Sequence, residues 1–193
     1  VSENEYLEGK LTELKVRLQT YNNLVLENQQ ISALLDSSYA IPEYQMKLAH
    51  VKSISQSRLR KQIIIDKGFN DGITLSQLVV GSDGVVGIVT QLTQLYSTVK
   101  LITDPTQHIP VKNSRNGIRG ITKGSGSNYK GIIVEYVPLD SDVKVGDVFV
   151  TSGIGNLFPA GYLAGRVTKI DNLLNDSFLS ITLQPLQNMN KLE

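Results

Sequence analysis

The chain of 193 residues contains no cysteine and no tryptophan, and only two histidines. Without cysteine there are no disulfides, no thiolate zinc site and no thiol nucleophile, and any redox compartment fits. No apolar run reaches the ~18 residues that a membrane-crossing helix needs, and no signal peptide is present. Val1 in place of Met reads as a trimmed start, which leaves room for an anchor upstream. Charge of one sign is also lacking. Nineteen basic residues face eighteen acidic ones, so no general field attracts nucleic acid or an acidic surface. With four Phe and eight Tyr, few aromatics are available to stack on sugars.

The stretch from Gly146 to Val167 organises what is present. Val148-Phe149-Val150 reads as a strand, Thr151-Ser152-Gly153-Ile154-Gly155-Asn156 as a turn, and Gly165-Arg166-Val167 as the next strand. Between them, Pro159 has a fixed φ and no N–H, so it belongs in the connection. A similar arrangement occurs earlier, around Ile63-Ile64-Ile65, Leu78-Val79-Val80 and Gly87-Ile88-Val89. Ile63 to Ile133 and Ser82 to Ser152 are both 70 residues apart, while Gly87 to Gly165 is 78. This reads as an internal repeat whose second copy has about eight extra residues, Phe158 and Pro159 among them.

Residues 1–36 read as one helix. Leu7, Leu11, Leu14, Leu18, Tyr21, Val25, Asn28 and Leu35 recur at heptad spacing. Leu24, Ile31 and Leu35 form a competing stripe near the end, and Asn28 would set the register. About 30 residues of helix extend roughly 45 Å, and an apolar stripe of that length has to be covered. A parallel dimeric coiled coil does this, as does packing on the chain's own β part. Residues 37–45 form a linker ending the helix at Ile41-Pro42.

Strands are expected at 46–53, 59–65, 78–80, 85–92 and 98–103, then at 109–112, 117–122, 129–137, 148–151, 164–170 and 178–183. They are rich in Val, Ile and Thr and separated by Gly, Asp and Asn turns. The fold class is therefore mainly β with one long N-terminal helix. The expected architecture is two small, roughly six-stranded barrels at 46–105 and 106–186, with a loose tail at 187–193. Whether strands are exchanged between them is left open.

Chemistry is sparse. His50, Asp104 and Ser152 occur in the chain order of a two-barrel serine hydrolase, so Ser152 and His50 are the catalytic alternative. A triad needs the base bonded to the nucleophile and oriented by a buried carboxylate, and no Gly-Asp-Ser-Gly loop is present. His108 and Asp104 are too few for a metal site. Gly124-Ser125-Gly126-Ser127 lacks the Lys-Ser/Thr of a phosphate loop and reads as a hairpin. Arg58, Arg60 and Lys61 read as a solvated edge, and Asp66, Asp71 and Asp83 as turn formers. No cofactor, metal or nucleic-acid partner is expected. Phe158 and Tyr162 either project as anchors for a protein partner or fold inward to plug the barrel.

Taken in order, several stretches resemble the rod-shape-determining MreC family. They are Glu27-Asn28, Ile65-Asp66-Lys67-Gly68 with Asp71-Gly72-Ile73, Gly84-Val85-Val86-Gly87-Ile88-Val89 and Val99-Lys100-Leu101-Ile102-Thr103-Asp104. Tyr136-Val137-Pro138, Gly146 through Gly153, and Phe158-Pro159-Ala160-Gly161 with Gly165-Arg166-Val167 are the most specific. Ser76 and Ile88 depart from the pattern, standing where Gly and Arg are expected. The resemblance implies a non-catalytic scaffold of the cell-elongation machinery that maintains rod shape from the extracytoplasmic (periplasmic) face of the inner membrane, anchored by a helix upstream of Val1. It implies homodimers, with further assembly into filaments, and binding of a class B penicillin-binding transpeptidase. MreD, RodZ, RodA and MreB would be joined through the elongation complex. Thr151, Ser152, Gly153, Phe158, Pro159, Gly161, Tyr162 and Gly165 form its signature turn and the candidate partner surface. A glycan-binding module is a third class, disfavoured by the scarcity of aromatics.

Overall fold

The computed structural model describes residues 2–34, 46–56, 60–125, 131–154, 158–172, 177–189 and 192. The chain divides into two compact units, Val1–Met46 and Lys47–Glu193. The first is a single helix, α1 (Ser2–Leu34). Glu3 and Glu5 in its first turn suit the positive end of the helix dipole. Glu13 pairs with Lys10 at 3.0 Å and with Arg17 at 2.6 Å, each exposed pair worth a few tenths of a kcal/mol. Leu7, Leu11, Leu14, Leu18 and Tyr21 are between 53% and 62% exposed, and Val25 is partly buried. Asn28 lies in α1, but its side chain, Leu35 and the expected linker are outside the described residues.

Among the described residues the second unit is mainly β, with a turn of 3₁₀ helix at Phe69–Asp71. Five strands form the first sheet: β1 (Val51–Gln56), β2 (Lys61–Ile65), β3 (Leu78–Val80), β4 (Val85–Leu92) and β5 (Ser97–Leu101). Six more form a closed barrel: β6 (His108–Asn113), β7 (Arg119–Gly124), β8 (Ile132–Pro138), β9 (Val148–Thr151), β10 (Leu163–Asp171) and β11 (Phe178–Pro185). The sheet runs β1-β2-β5-β4-β3, and the barrel contains the matching series β7-β8-β11-β10-β9. The internal repeat is thus visible as topology. Strand β6 has no counterpart in the sheet. It pairs with both β7 and β9 and so closes the barrel. The first expected barrel is accordingly a five-stranded sheet, with β1 and β3 at its edges. Among the described residues, no strand of one pairs with a strand of the other.

Two apolar clusters fill this unit. Ile63, Ile65, Val86, Val89, Val99 and Leu101 form one within the sheet. The barrel core, including Phe149, Ile132, Ile181 and Leu183, takes in Val85, Ile88 and Ile102 from the sheet segment. Strand β4 is therefore buried on both faces, which explains its unbroken Val85-Val86-Gly87-Ile88-Val89 run. Ile88 stands where Arg was expected because the barrel covers it, whereas Arg166, 78 residues on, is exposed and donates to the Gly146 carbonyl at 2.9 Å. Gly87 and Gly165 are held by close approach: a Cβ would meet the Lys100 carbonyl oxygen at 2.0 Å and that of Gln184 at 2.8 Å.

One end of the barrel is tied by Arg115. Its Nε donates to Asp147 Oδ1 at 3.0 Å, its Nη2 to Asp147 Oδ2 at 2.9 Å, and its Nη1 to Asp142 Oδ2 at 2.7 Å. Asn113 Nδ2 donates to Asp147 Oδ2 at 2.7 Å, and so does the Lys144 N–H at 3.0 Å. The guanidinium holds both carboxyls below the usual carboxylate range and is itself driven further from deprotonation. Folded values below unfolded ones mean that this stabilisation is complete above about pH 4 and is lost as pH falls through the folded values. Melting followed by circular dichroism across the acid range should show wild type losing stability below about pH 4. Asp147→Asn should flatten that decline and lower the pH 7 melting temperature by about 3–6 °C. An unchanged acid profile in the variant would place the acid sensitivity elsewhere.

Ser76 explains the second departure from the family pattern. It is exposed with φ 64°, in the left-handed region, while its N–H bonds the Val89 carbonyl at 2.9 Å. A side chain there costs about 1–2 kcal/mol, partly offset by the greater unfolded freedom of glycine. Ser76→Gly should raise the melting temperature by about 1–4 °C. A lowered value would contradict the strain.

Candidate interaction surfaces

The turn between β9 and β10 is arranged around Thr151. The Thr151 N–H donates to the Tyr162 carbonyl at 2.9 Å, and its carbonyl accepts from the Gly161 N–H at 2.9 Å. Its Oγ1 donates to the Pro159 carbonyl at 2.6 Å and accepts from the Tyr162 N–H at 3.0 Å. One buried threonine thus clamps both legs of the extra segment. Gly153, at φ 73°, is also needed for space, since a Cβ would lie 2.8 Å from that of Ala160. The Ser152 N–H donates to the Pro110 carbonyl at 3.0 Å, seating the turn on β6. Gly155, Asn156 and Leu157 lie outside the described residues.

Of the two readings of Phe158, outward anchor or inward plug, this geometry takes the inward one. Phe158 is 8% exposed and belongs to the barrel core, with Tyr162 partly buried against that core. Phe158 and Tyr162 face the barrel core instead of solvent, because the Thr151 clamp draws Pro159 and Tyr162 back onto β9. Thr151, Gly153, Gly161 and Gly165 shape the turn, and among its described residues Ile154 and Leu163 are outward apolar groups.

A larger outward feature escaped the sequence reading. Tyr136, in β8, has φ 64° and is 58% exposed, and its ring meets that of Phe178 edge-on, with centroids 5.8 Å apart. The register between β8 and β11 shifts here, so the local alternation is broken and an aromatic side chain faces out. Tyr136-Val137-Pro138 stood among the family stretches, but strand periodicity gave no sign of its exposure.

The hydrolase residues are not brought together. His50 Nδ1 lies 3.1 Å from Asp66 Oδ2, and the His50 N–H donates to Asp66 Oδ1 at 2.7 Å. Asp66 is held below the usual carboxylate range chiefly by that backbone bond. Asp104 accepts from the Lys61 N–H and from Thr106, and Ser152 Oγ accepts from the Ile154 N–H at 3.4 Å. His50, Asp104 and Ser152 therefore form no triad. His108 is exposed on β6, and no cluster of three or more metal-ligating side chains occurs among the described residues. The Ser125 N–H bonds the Gly131 carbonyl at 3.2 Å, as a hairpin between β7 and β8 requires. Gly126, Ser127 and Arg58 lie outside the described residues. No helix among the described residues is long and apolar enough to cross a membrane.

Comparison with known proteins accords with this architecture. The profile described as "Rod shape-determining protein MreC, barrel core" matches residues 51–193. The cell shape-determining protein MreC of Haemophilus influenzae is 33% identical over 190 residues, covering 98% of this chain. The chain spans 54% of that relative's length. The solved MreC of Listeria monocytogenes superposes with a TM-score of 0.81 at 29% identity, covering 98% of this chain and 92% of its own. The fold also recurs in the complex between a penicillin-binding protein, PBP2, and MreC from Helicobacter pylori. That match has a TM-score of 0.58 at 17% identity and covers 73% of this chain and 87% of that one. On the profile match across both β parts and the level of identity, the chain belongs to the MreC family of rod shape-determining proteins.

Proposed function

We propose that this chain is the extracytoplasmic part of a non-catalytic scaffold that organises side-wall peptidoglycan synthesis and so maintains rod shape. Family membership over residues 51–193 carries the reading. The exposed heptad stripe adds to it, because five large apolar side chains in one line are what a second helix would cover. The dimer interface is accordingly assigned to Leu7, Leu11, Leu14, Leu18, Tyr21, Val25, Asn28 and Leu35. The helix 1–36 sets association and reach, the linker 37–45 joins it to the β modules, and those modules present binding surfaces. The partner is a class B penicillin-binding transpeptidase, by analogy with the complex that PBP2 forms with MreC from Helicobacter pylori. MreD, RodZ, RodA and MreB are joined indirectly, and a helix upstream of Val1 anchors the protein to the periplasmic face of the inner membrane.

Sedimentation velocity tests the helix. Leu14→Asp with Leu18→Asp places charges in the stripe and should shift dimer to monomer, weakening association by about 100-fold or more, while the β signal in circular dichroism stays. An unchanged dimer would reject this seam. Pull-down from cells with crosslinked membranes tests the partner. The intact chain should recover a penicillin-binding transpeptidase, and Tyr136→Ser with Phe178→Ser should recover about tenfold less if the exposed pair is the contact. Equal recovery would move the contact elsewhere on the barrel. Recovery of no cell-wall enzyme by either chain would overturn the scaffold reading.

A further inference from the structure

On the outside of the barrel, β6 and β7 set like charges against each other. Lys112 and Arg119 are register partners across the antiparallel ladder. Both point outward, since Val111, Asn113 and Gly120 beside them are buried. Directly opposite side chains leave the sheet about 5 Å apart, and like charges at that spacing repel. The pair therefore opposes the ladder that carries it.

Among the described residues, no carboxylate relieves this pair, and neither side chain makes an ion pair or a hydrogen bond. Arg115, on the hairpin joining the two strands, and Lys144 match Asp142 and Asp147 charge for charge. Glu135, in register with Ile121, pairs with Lys123 at 3.4 Å. The outward row continues over β9 and β10, where Lys112 is in register with Val150 and Val150 with Leu163. Two residues before Val150, Val148 is in register with Arg166, whose exposed guanidinium bonds the Gly146 carbonyl. Asp83 adjoins Gly84, which packs on Leu163. Lys112, Arg119 and Arg166 thus stand against the single charge of Asp83, an excess that favours an added anion.

Apolar groups beside the cations select among anions. Pro110 and Ile121 are register partners two residues along from Lys112 and Arg119, so they share the outward face. Both are partly exposed, and neither Ile121 nor Val150 belongs to the barrel core. A phosphate polymer gains from cations alone, and so few of them supply little of the counterion release on which such binding rests. A protein segment that carries carboxylates beside aliphatic side chains matches both kinds of group. Arg119 suits a carboxylate in particular, because two oxygens fit its planar donor fork. We propose that the outer face of β6 and β7 docks an acidic, aliphatic-containing segment of a partner protein, with carboxylates on Lys112 and Arg119 and aliphatic side chains on Pro110 and Ile121. A carboxylate set between the two cations turns their repulsion into attraction. The surface does not depend on the scaffold reading.

The test is a titration of the ¹⁵N-labelled chain followed by its amide spectrum. The probes are acetyl-Glu-Val-Glu-Val-Glu-amide, acetyl-Gln-Val-Gln-Val-Gln-amide, sodium polyphosphate and phosphatidylglycerol vesicles. The Glu peptide should shift the amides of Lys112, Arg119 and Ile121 saturably and bind about tenfold more tightly than the Gln peptide. Lys112→Gln with Arg119→Gln should weaken the Glu peptide by about tenfold. Arg119→Gln alone, at an exposed position, carries the same comparison if the double variant unfolds. Equal binding of the Glu and Gln peptides, polyphosphate or vesicles held as tightly as the Glu peptide, undiminished binding in the folded variants, or no saturation would each overturn the proposal.

Discussion

Strand β4 is the constraint on which the β unit depends. Val86 and Val89 face the sheet's own core, and Val85 and Ile88 face the barrel's. One strand thus belongs to two hydrophobic interiors. Shifting its pairing by a single residue would exchange the two sets and spoil both. Other contacts secure the same junction. The Asp83 N–H donates to Gln187 Oε1 at 3.0 Å, and a Cβ on Gly84 would fall 2.4 Å from the Leu163 carbonyl oxygen. The Ile102 N–H bonds the Val86 carbonyl at 2.9 Å, so the chain leaves β5 for the barrel while still attached to β4.

Much of this was legible in the sequence, for reasons that can be traced to particular residues. Heptad spacing gave the helix, and short Val/Ile/Thr runs between Gly and Asp turns gave all eleven strands, with β3, β4 and β9 at their observed bounds. Openness of the first sheet was not legible, because closure depends on a strand that bridges the two ends of the series, and β6, paired with both β7 and β9, does this for the barrel. The repeat was correctly sensed but misaligned in one place. Ile63 is buried, yet Ile133 at the same offset is only partly buried, and Ile132 and Val134 take the inward positions. Period-two patterns are blind to such slips where a bulge intervenes. The same bulge hid the exposure of Tyr136. Phe158 was ambiguous until the Thr151 clamp fixed the path of its loop.

The two units use apolar residues in opposite ways. In the β unit most large apolar strand side chains among the described residues are hidden, and of the exposed ones, Ile54, Tyr136, Leu163 and Phe178, the two aromatics meet. In α1 the apolar stripe is bare over five heptad positions. A bare stripe of this regularity is the kind of surface that the proposed dimer would cover.

The shared interior also bears on the order in which the chain acquires its structure. During synthesis β4 emerges well before β11, whose Leu179, Ile181 and Leu183 line the core that receives Val85 and Ile88. Until then, the core on one face of β4 is incomplete. The sheet nearer the N-terminus is thus completed only together with the barrel, and the newborn chain carries a partly uncovered apolar strand until the final hairpin arrives.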